Sequence, residues 1–237
     1  MSLPPKPTNE IDQLRWAIQA VEAHSEQLGP DTVALLTAPA RYELTQLTQQ
    51  QASHASHELM VVLLADLAGF TSLAEQMDAE DVSELMNDLW DQLDTTIINH
   101  HGHIDKHIGD AVLAIWPVSA PQATQHAWQT AQTMHHILAT FRAQRQLELD
   151  IRIGIDTGLV ILNQVGATQE QMALGPAVAL ATFLERHAPT GGVLVSNTTY
   201  HNLNQPPALP QTFIYHDEPI TAYLLETHPQ TDLNNHE

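Results

Sequence analysis

Cysteine is absent from the 237 residues, which rules out a disulfide framework and is compatible with the cytosol. Lysine is almost absent: Lys6 and Lys106 are the only two, and Lys+Arg total 8 against 28 for Asp+Glu. The resulting formal charge of -20 argues against nucleic acid or an anionic membrane as partner, since both require basic patches. Any polyanionic ligand must be held by local features such as metal ions, backbone N–H groups and a few placed cations. The sequence has no long uninterrupted apolar run and no signal-peptide pattern, so the expectation is a soluble, cytoplasmic chain. What is present is a 43% hydrophobic content, enough for one well-cored domain plus helical extensions.

Residues 1–9 are polar and carry three prolines, which predicts a disordered lead. From 10 to 57 the pattern predicts a helical hairpin or linker. Ile11, Leu14, Ile18 and Val21 follow helical spacing, and Gly29-Pro30 ends that run. A second helix with Leu35, Leu36, Leu44 and Leu47 is expected to break near Pro39. This extension reads either as a packing appendage or as a dimerising, signal-transmitting element.

From 58 to 227 a single domain is expected. A strand at 60–66 leads to a long helix with Val82, Leu85, Met86, Leu89, Leu93 and Ile97 on one face. A hairpin over 103–116 turns at Gly109-Asp110, and a helix over 122–144 follows. Strands at 149–156 and 159–165, a helix over 176–187, a strand at 192–196 and a closing hairpin near Phe213 and Tyr223 complete it. Strand-helix-strand-strand-helix-strand is the ferredoxin-like order, an α+β class with an antiparallel-rich sheet. Residues 228–237 predict a frayed tail.

Two aspartates stand out. Asp66 closes the apolar run Val61-Val62-Leu63-Leu64-Ala65 and is followed by Leu67-Ala68-Gly69-Phe70-Thr71. Asp110 follows Gly109 and opens the run Ala111-Val112-Leu113-Ala114-Ile115-Trp116. A carboxylate at a strand end, beside a turn rich in N–H groups, suits a Mg²⁺-phosphate complex. Taken singly, each is equally a helix cap or a turn residue.

Together these segments resemble the class III nucleotidyl cyclase domain, the catalytic module of adenylate and guanylate cyclases. The signature Asp-x-x-Gly-Phe-Thr is matched by Asp66, Gly69, Phe70 and Thr71. The Lys-x-x-Gly-Asp hairpin is matched by Lys106, Gly109 and Asp110, with Gly102 one place from the usual glycine. Arg152, Gly154, Ile155 and Gly158 match Arg-x-Gly-Ile-x-x-Gly, and Gly192-Val193-Leu194-Val195-Ser196 a late apolar strand. The resemblance implies a ferredoxin-like nucleotidyl cyclase fold with a Mg²⁺ or Mn²⁺ site at Asp66 and Asp110, completed by the Leu67 carbonyl. It further implies ATP or GTP as ligand, with phosphate on the N–H groups of Ala68, Gly69, Phe70 and Thr71. Lys106 then reads the adenine and Arg152 meets the terminal phosphates. Alternation places Ile104, Lys106 and Ile108 on one strand face, so Lys106 is otherwise a snorkelling lysine. Arg152 is otherwise an edge-strand arginine.

The chain departs from the family in Gly175-Pro176-Ala177-Val178-Ala179-Leu180-Ala181-Thr182-Phe183-Leu184-Glu185. Ala179 stands where the family has the Asn that positions the ribose. Phe183 stands where it has the Arg that meets charge on the α-phosphate. Met172 occupies the position of the residue that reads the base, and the region from 213 to 223 contains no lysine.

The resemblance therefore implies a Mg-nucleotide-binding signalling domain, weak or inactive as a homodimer. It leaves open a metal-bearing half that works opposite a second cyclase domain and makes cAMP from ATP. It also leaves open a regulatory or dimerising module that needs no nucleotide. In any dimer the arm at 159–173 is expected to reach the partner. His103, Asp105 and His107 are placed by alternation on one strand face, an arrangement open to metal but ordinary for a solvated strand.

Overall fold

The computed structural model describes residues 9–53, 56–165 and 170–226. The rest of the polar lead, the tail from 227 and part of the 159–173 arm lie outside the described residues. The chain divides into two compact units, Met1–Ser56 with Ile161–Met172, and His57–Val160 with Ala173–Glu237.

In the first unit, α1 (Glu10–Glu22) begins where the Asn9 side chain accepts hydrogen bonds from the Ile11 and Asp12 N–H groups. Gly29, at φ +76°, separates the short α2 (Ser25–Leu28) from α3 (Pro30–Ser53). Arg41 and Glu22 pair at 2.6 Å and tie α3 to α1. The expected break at Pro39 does not occur, and α3 runs through it. Pro39 lies on an exposed face, and its missing N–H leaves only the carbonyl of exposed Leu35 without an i+4 donor, where water can satisfy it.

The second unit holds most of an eight-stranded sheet. β1 (Ser56–Ala68) is followed by the short α4 (Phe70–Ala74) and the long α5 (Ala79–Asn99). Next come β2 (His103–Ile108), β3 (Ala111–Pro117), α6 (Ala123–Arg145), β4 (Asp150–Val165) and β5 (Glu170–Leu174). The chain then forms α7 (Pro176–His187), β6 (Val193–Ser196), α8 (Asn197–Asn202), β7 (Ala208–Tyr215) and β8 (Glu218–Leu225). The sheet order is β2-β3-β1-β4-β6-β8-β7, with β5 paired to β4. β4 beyond Val160 and most of β5 are counted with the first unit. The first four strands in space have the ferredoxin-like order expected from the sequence. The strands predicted separately at 149–156 and 159–165 are one strand. Gly158 carries the chain past Ala177, whose Cβ would lie 3.3 Å from any Cβ there.

Alternation divides the sheet's residues between two faces. Val61, Leu63, Ala65 and Leu67 of β1, Val112, Ala114 and Trp116 of β3, and Ile151, Ile153 and Ile155 of β4 meet one core. Leu85, Leu89, Leu93 and Ile97 of α5 and Ala127, Ala131, Met134 and Leu138 of α6 supply its other side. The opposite face carries Asp66, Arg152 and Gly154, and α7 packs there. A Cβ on Gly154 would lie 2.2 Å from the Ala181 carbonyl oxygen and 2.4 Å from the Glu185 nitrogen. Only glycine permits that approach, so this position fixes where α7 sits.

Gly154→Ala is therefore expected to destabilise the domain by about 2 kcal/mol or more, because the collision is with backbone. Gly109→Ala, at φ +64° with open space around it, should cost about 1 kcal/mol of backbone strain. Urea denaturation of both variants checks this. Equal losses would show that α7 yields easily at Gly154.

Candidate functional site

β1 and β3 pair antiparallel with Asp66 opposite Ala111, and the Leu67 N–H donates to the Asp110 carbonyl at 3.2 Å. The sheet thus brings the two motif aspartates to one corner. Asp66 lies on the face away from α5 and α6. Burial raises the Asp110 carboxyl above its ordinary range and the nearby Asp66 charge adds to this, while its own backbone hydrogen bond and Arg152 oppose the rise. Gly69, at φ +92°, turns the chain into α4 within 2.8 Å of the Glu148 carbonyl, measured from where a Cβ would lie. Phe70 anchors that helix start on the main core, which leaves the N–H groups of Gly69, Phe70 and Thr71 in a first helical turn. A cleft of about 520 Å³ reaches Ala68 and Gly69, but neither Asp66 nor Asp110 lines it. The Asp66 and Asp110 residues are both partly buried at this corner.

Arg152 lies on β4, between β1 and β6, and the edge-strand alternative does not hold. Its Nη2 donates to Asp66 Oδ2 at 2.5 Å and lies 3.2 Å from Glu185 Oε1. The Asp66 hydrogen bond is the main influence raising the guanidinium pKa; burial opposes it, and the Glu185 and Asp110 charges add to the rise. Glu185 is only 4% exposed. Its carboxyl is pushed up to about 7, first by burial and then by the Asp66 charge, against the opposing pull of Arg152 and Arg186. The Glu185–Arg152 contact is close enough for an ion pair but not aligned as a hydrogen bond, so Glu185 Oε1 and Arg152 Nε have no hydrogen-bond partner.

Lys106 reaches this face by an unexpected route. Ile104 pairs with Ala114 but Lys106 pairs with Leu113, so a β-bulge places Asp105 as the extra residue. The bulge overturns simple alternation along β2. Ile104 and His107 face α5 and the main core, whereas Lys106 and Ile108 share the face of Asp66. It also separates His103 from His107, so the proposed one-sided His103, Asp105, His107 set does not form. The bulged Asp105 side chain is 2% exposed. Its Oδ1 accepts the Ala173 N–H at 2.7 Å, and its Oδ2 lies 3.2 Å from Lys106 Nζ. The one cationic side chain of β2 is thus held by a buried carboxylate that also fixes the residue after Met172.

Ala179 is exposed on α7. Phe183, one turn further, is not aimed at open space. Its ring stacks on His187 at 4.0 Å and meets Tyr215 and Phe213 edge-on at 4.9 and 6.1 Å. Phe183 belongs to a small second core formed by α7, β6 and the β7–β8 hairpin.

Sequence reasoning grouped Asp105 with His103 and His107 rather than with Lys106 and Ala173, and it gave Glu185 no role. Glu185 carried a readable signal: it is a carboxylate on the helix face formed by Ala177, Ala181, Leu184 and Ala188, where an apolar residue is the norm. The bulge at Asp105 carried none.

Among the described residues no group of three or more His, Cys, Asp or Glu is placed to hold a metal ion. A cation at Asp66 and Asp110 would therefore rest on two carboxylates, with main-chain and ligand oxygens completing its shell. The donor chemistry fits a hard divalent cation. The mutual repulsion of the two carboxylates favours one, and the Arg152 guanidinium already fills a cation's place on Asp66.

The family described as Adenylate and Guanylate cyclase catalytic domain matches residues 52–220. An adenylate cyclase of Anabaena cylindrica is 29% identical over 164 residues, covering 64% of this chain and 32% of that protein. The speract receptor of Strongylocentrotus purpuratus is 30% identical over 134 residues, covering 54% of this chain and 12% of that protein. This chain thus spans a third or less of these relatives. The solved adenylyl cyclase CyaB from P. aeruginosa superposes with a TM-score of 0.68 at 24% identity. It covers 76% of this chain and all of that one, and so agrees in fold.

The Glu185 carboxyl generates a pH prediction. Its folded pKa of about 7 exceeds its ordinary 4.5. Between those values the unfolded chain has lost a proton that the folded chain keeps, so its contribution to stability falls as pH rises from about 4.5 to 7 and levels off above. In metal-free buffer, Glu185→Gln should gain about 2–3 kcal/mol relative to the parent over that window. Urea midpoints at four pH values test it, and parallel pH profiles would contradict it.

Proposed function

The chain belongs to the adenylate and guanylate cyclase catalytic domain family, and from that premise we propose that it is a signalling domain that binds a divalent metal–nucleotide and turns it over weakly or not at all as a homodimer. The observation that carries this reading is the contrast between the two halves of the site. Asp66, Asp110, Lys106 and Arg152 are kept and share one corner or face, whereas Ala179 and Phe183 replace the two side chains expected to act on the ribose and the α-phosphate.

Asp66 and Asp110 would hold Mg²⁺ or Mn²⁺ with the Leu67 carbonyl. When bound, such an ion supplies Lewis-acid activation of a ribose hydroxyl and charge neutralisation on the triphosphate. The N–H groups of Ala68, Gly69, Phe70 and Thr71 receive phosphate at the start of α4. Arg152 meets the terminal phosphates, and Lys106, steadied by Asp105, contacts the base. These groups bind the ground state. Uniform binding of substrate and transition state does not accelerate chemistry.

Loss of one preorganised charged donor costs on the order of 3–4 kcal/mol of transition-state stabilisation. Alanine and phenylalanine have nothing to offer in its place. With both donors gone, the rate should fall by roughly three to five decades.

A second reading is favoured by the same contrast. The metal aspartates and the missing Asn and Arg belong to opposite halves of a family site formed by two domains. This chain would then be the metal-bearing half opposite a complete cyclase domain, making cAMP from ATP. Met172 leaves ATP and GTP both open.

The isolated chain should form little or no cAMP or cGMP from Mg²⁺-ATP or Mg²⁺-GTP. Ala179→Asn with Phe183→Arg should restore part of the rate. The arginine must also leave the Phe213 and Tyr215 contacts, so the variant should lose about 1–3 kcal/mol of stability. Mixing the parent chain with a cyclase domain that carries Asn and Arg but lacks its own aspartates should yield product if the second reading holds. Robust turnover by the parent alone, abolished by Asp66→Ala, would contradict the first reading.

A further inference from the structure

Arg152 Nη2 is shared between two carboxylates on different elements, 2.5 Å from Asp66 Oδ2 on β1 and 3.2 Å from Glu185 Oε1 on α7. A divalent cation cannot use the Asp66 carboxylate fully while that guanidinium donates to it, because both compete for the same oxygen lone pairs. Moving a half-buried arginine off its only hydrogen-bonded acid would strand its charge, at considerable cost. Glu185 Oε1 lies beside the same Nη2 but accepts no hydrogen bond, and Arg152 Nε is likewise buried without a partner. A small shift of the arginine toward α7 would use both idle atoms at once. Gly154 seats Glu185 for this role, because the missing Cβ lets the Glu185 backbone approach β4 closely.

Resting on the metal–nucleotide reading above, we propose that Glu185 is a positioning residue that receives the Arg152 guanidinium when a divalent cation takes Asp66. With all three carboxylates ionised, they and the guanidinium sum formally to -3 + 1 = -2, the charge a divalent cation neutralises. Arg152 is then held by Glu185, still beside the cation, where a terminal phosphate can reach it. Nothing is transferred covalently. The exchange is one of partners: Asp66 passes from arginine to cation, and arginine passes from Asp66 to Glu185.

The test is nucleotide-free Mn²⁺ binding to the full chain at fixed pH, read by loss of the free-Mn²⁺ electron paramagnetic resonance signal. Glu185→Gln should weaken binding roughly tenfold, the loss expected when the displaced guanidinium finds no charge-assisted partner. In an Arg152→Ala background the same substitution should change affinity less than twofold, because no guanidinium then needs a receiver. An equal weakening in both backgrounds would reduce Glu185 to one more negative charge and overturn the proposal, as would no weakening in either. Glu185→Asp keeps the charge but shortens the reach. It should also weaken binding only when Arg152 is present, and it serves if the glutamine variant fails to fold. Asp66→Asn separates the two levels. If it leaves Mn²⁺ binding unchanged, the metal reading itself fails and this proposal with it. If it abolishes binding while Glu185→Gln has no Arg152-dependent effect, only the exchange is wrong.

Discussion

A single guanidinium ties the working corner of this domain together. Arg152 stands on a central strand, donates to the carboxylate that ends β1 and lies against a carboxylate buried in α7. Three elements distant in sequence are thereby linked by charge, on a sheet whose opposite face packs the main hydrophobic core. The arrangement depends on one atom that is missing, the Cβ of residue 154. Without that gap, α7 would stand off the sheet and Glu185 would not reach Arg152.

The same helix carries the two positions on which the proposed weak turnover rests. Ala179 and Phe183 both lie on α7, where the resemblance sets the family's Asn and Arg. The phenylalanine has been absorbed into packing with His187, Phe213 and Tyr215. An aromatic ring in that setting contributes to the second core rather than leaving an empty place. Asp66 and Asp110 lie at one corner of the β1–β3 pair, and Lys106 shares the Asp66 face.

Much of this was legible in the sequence because it follows from local patterns. The apolar run before Asp66, the turn at Gly109-Asp110 and the periodicity of Leu85, Leu89, Leu93 and Ile97 each specify an element without reference to the rest of the chain. The helix expected over 176–187 matches α7, with Pro176 at its first turn. What was not legible depends on pairing. The bulge at Asp105 is a misfit between two strands, and it reverses the facing of every β2 residue before it. The Arg152–Glu185 contact needs the depth of a helix against a sheet, which no spacing rule encodes. Pro39 was misjudged because a helix on an exposed face can leave one carbonyl to water.

The proposed function stands or falls on whether the corner of Asp66 and Asp110 holds a metal–nucleotide. Crystals soaked with Mn²⁺ and a non-hydrolysable ATP analogue, measured for anomalous scattering, test it most directly. A manganese peak is expected between the two carboxylates, within about 2.5 Å of an oxygen from each, with analogue phosphates beside the turn at Gly69. Analogue bound elsewhere with no manganese at the aspartates, or carboxylates that stay paired with Arg152 at saturating Mn²⁺, would contradict it.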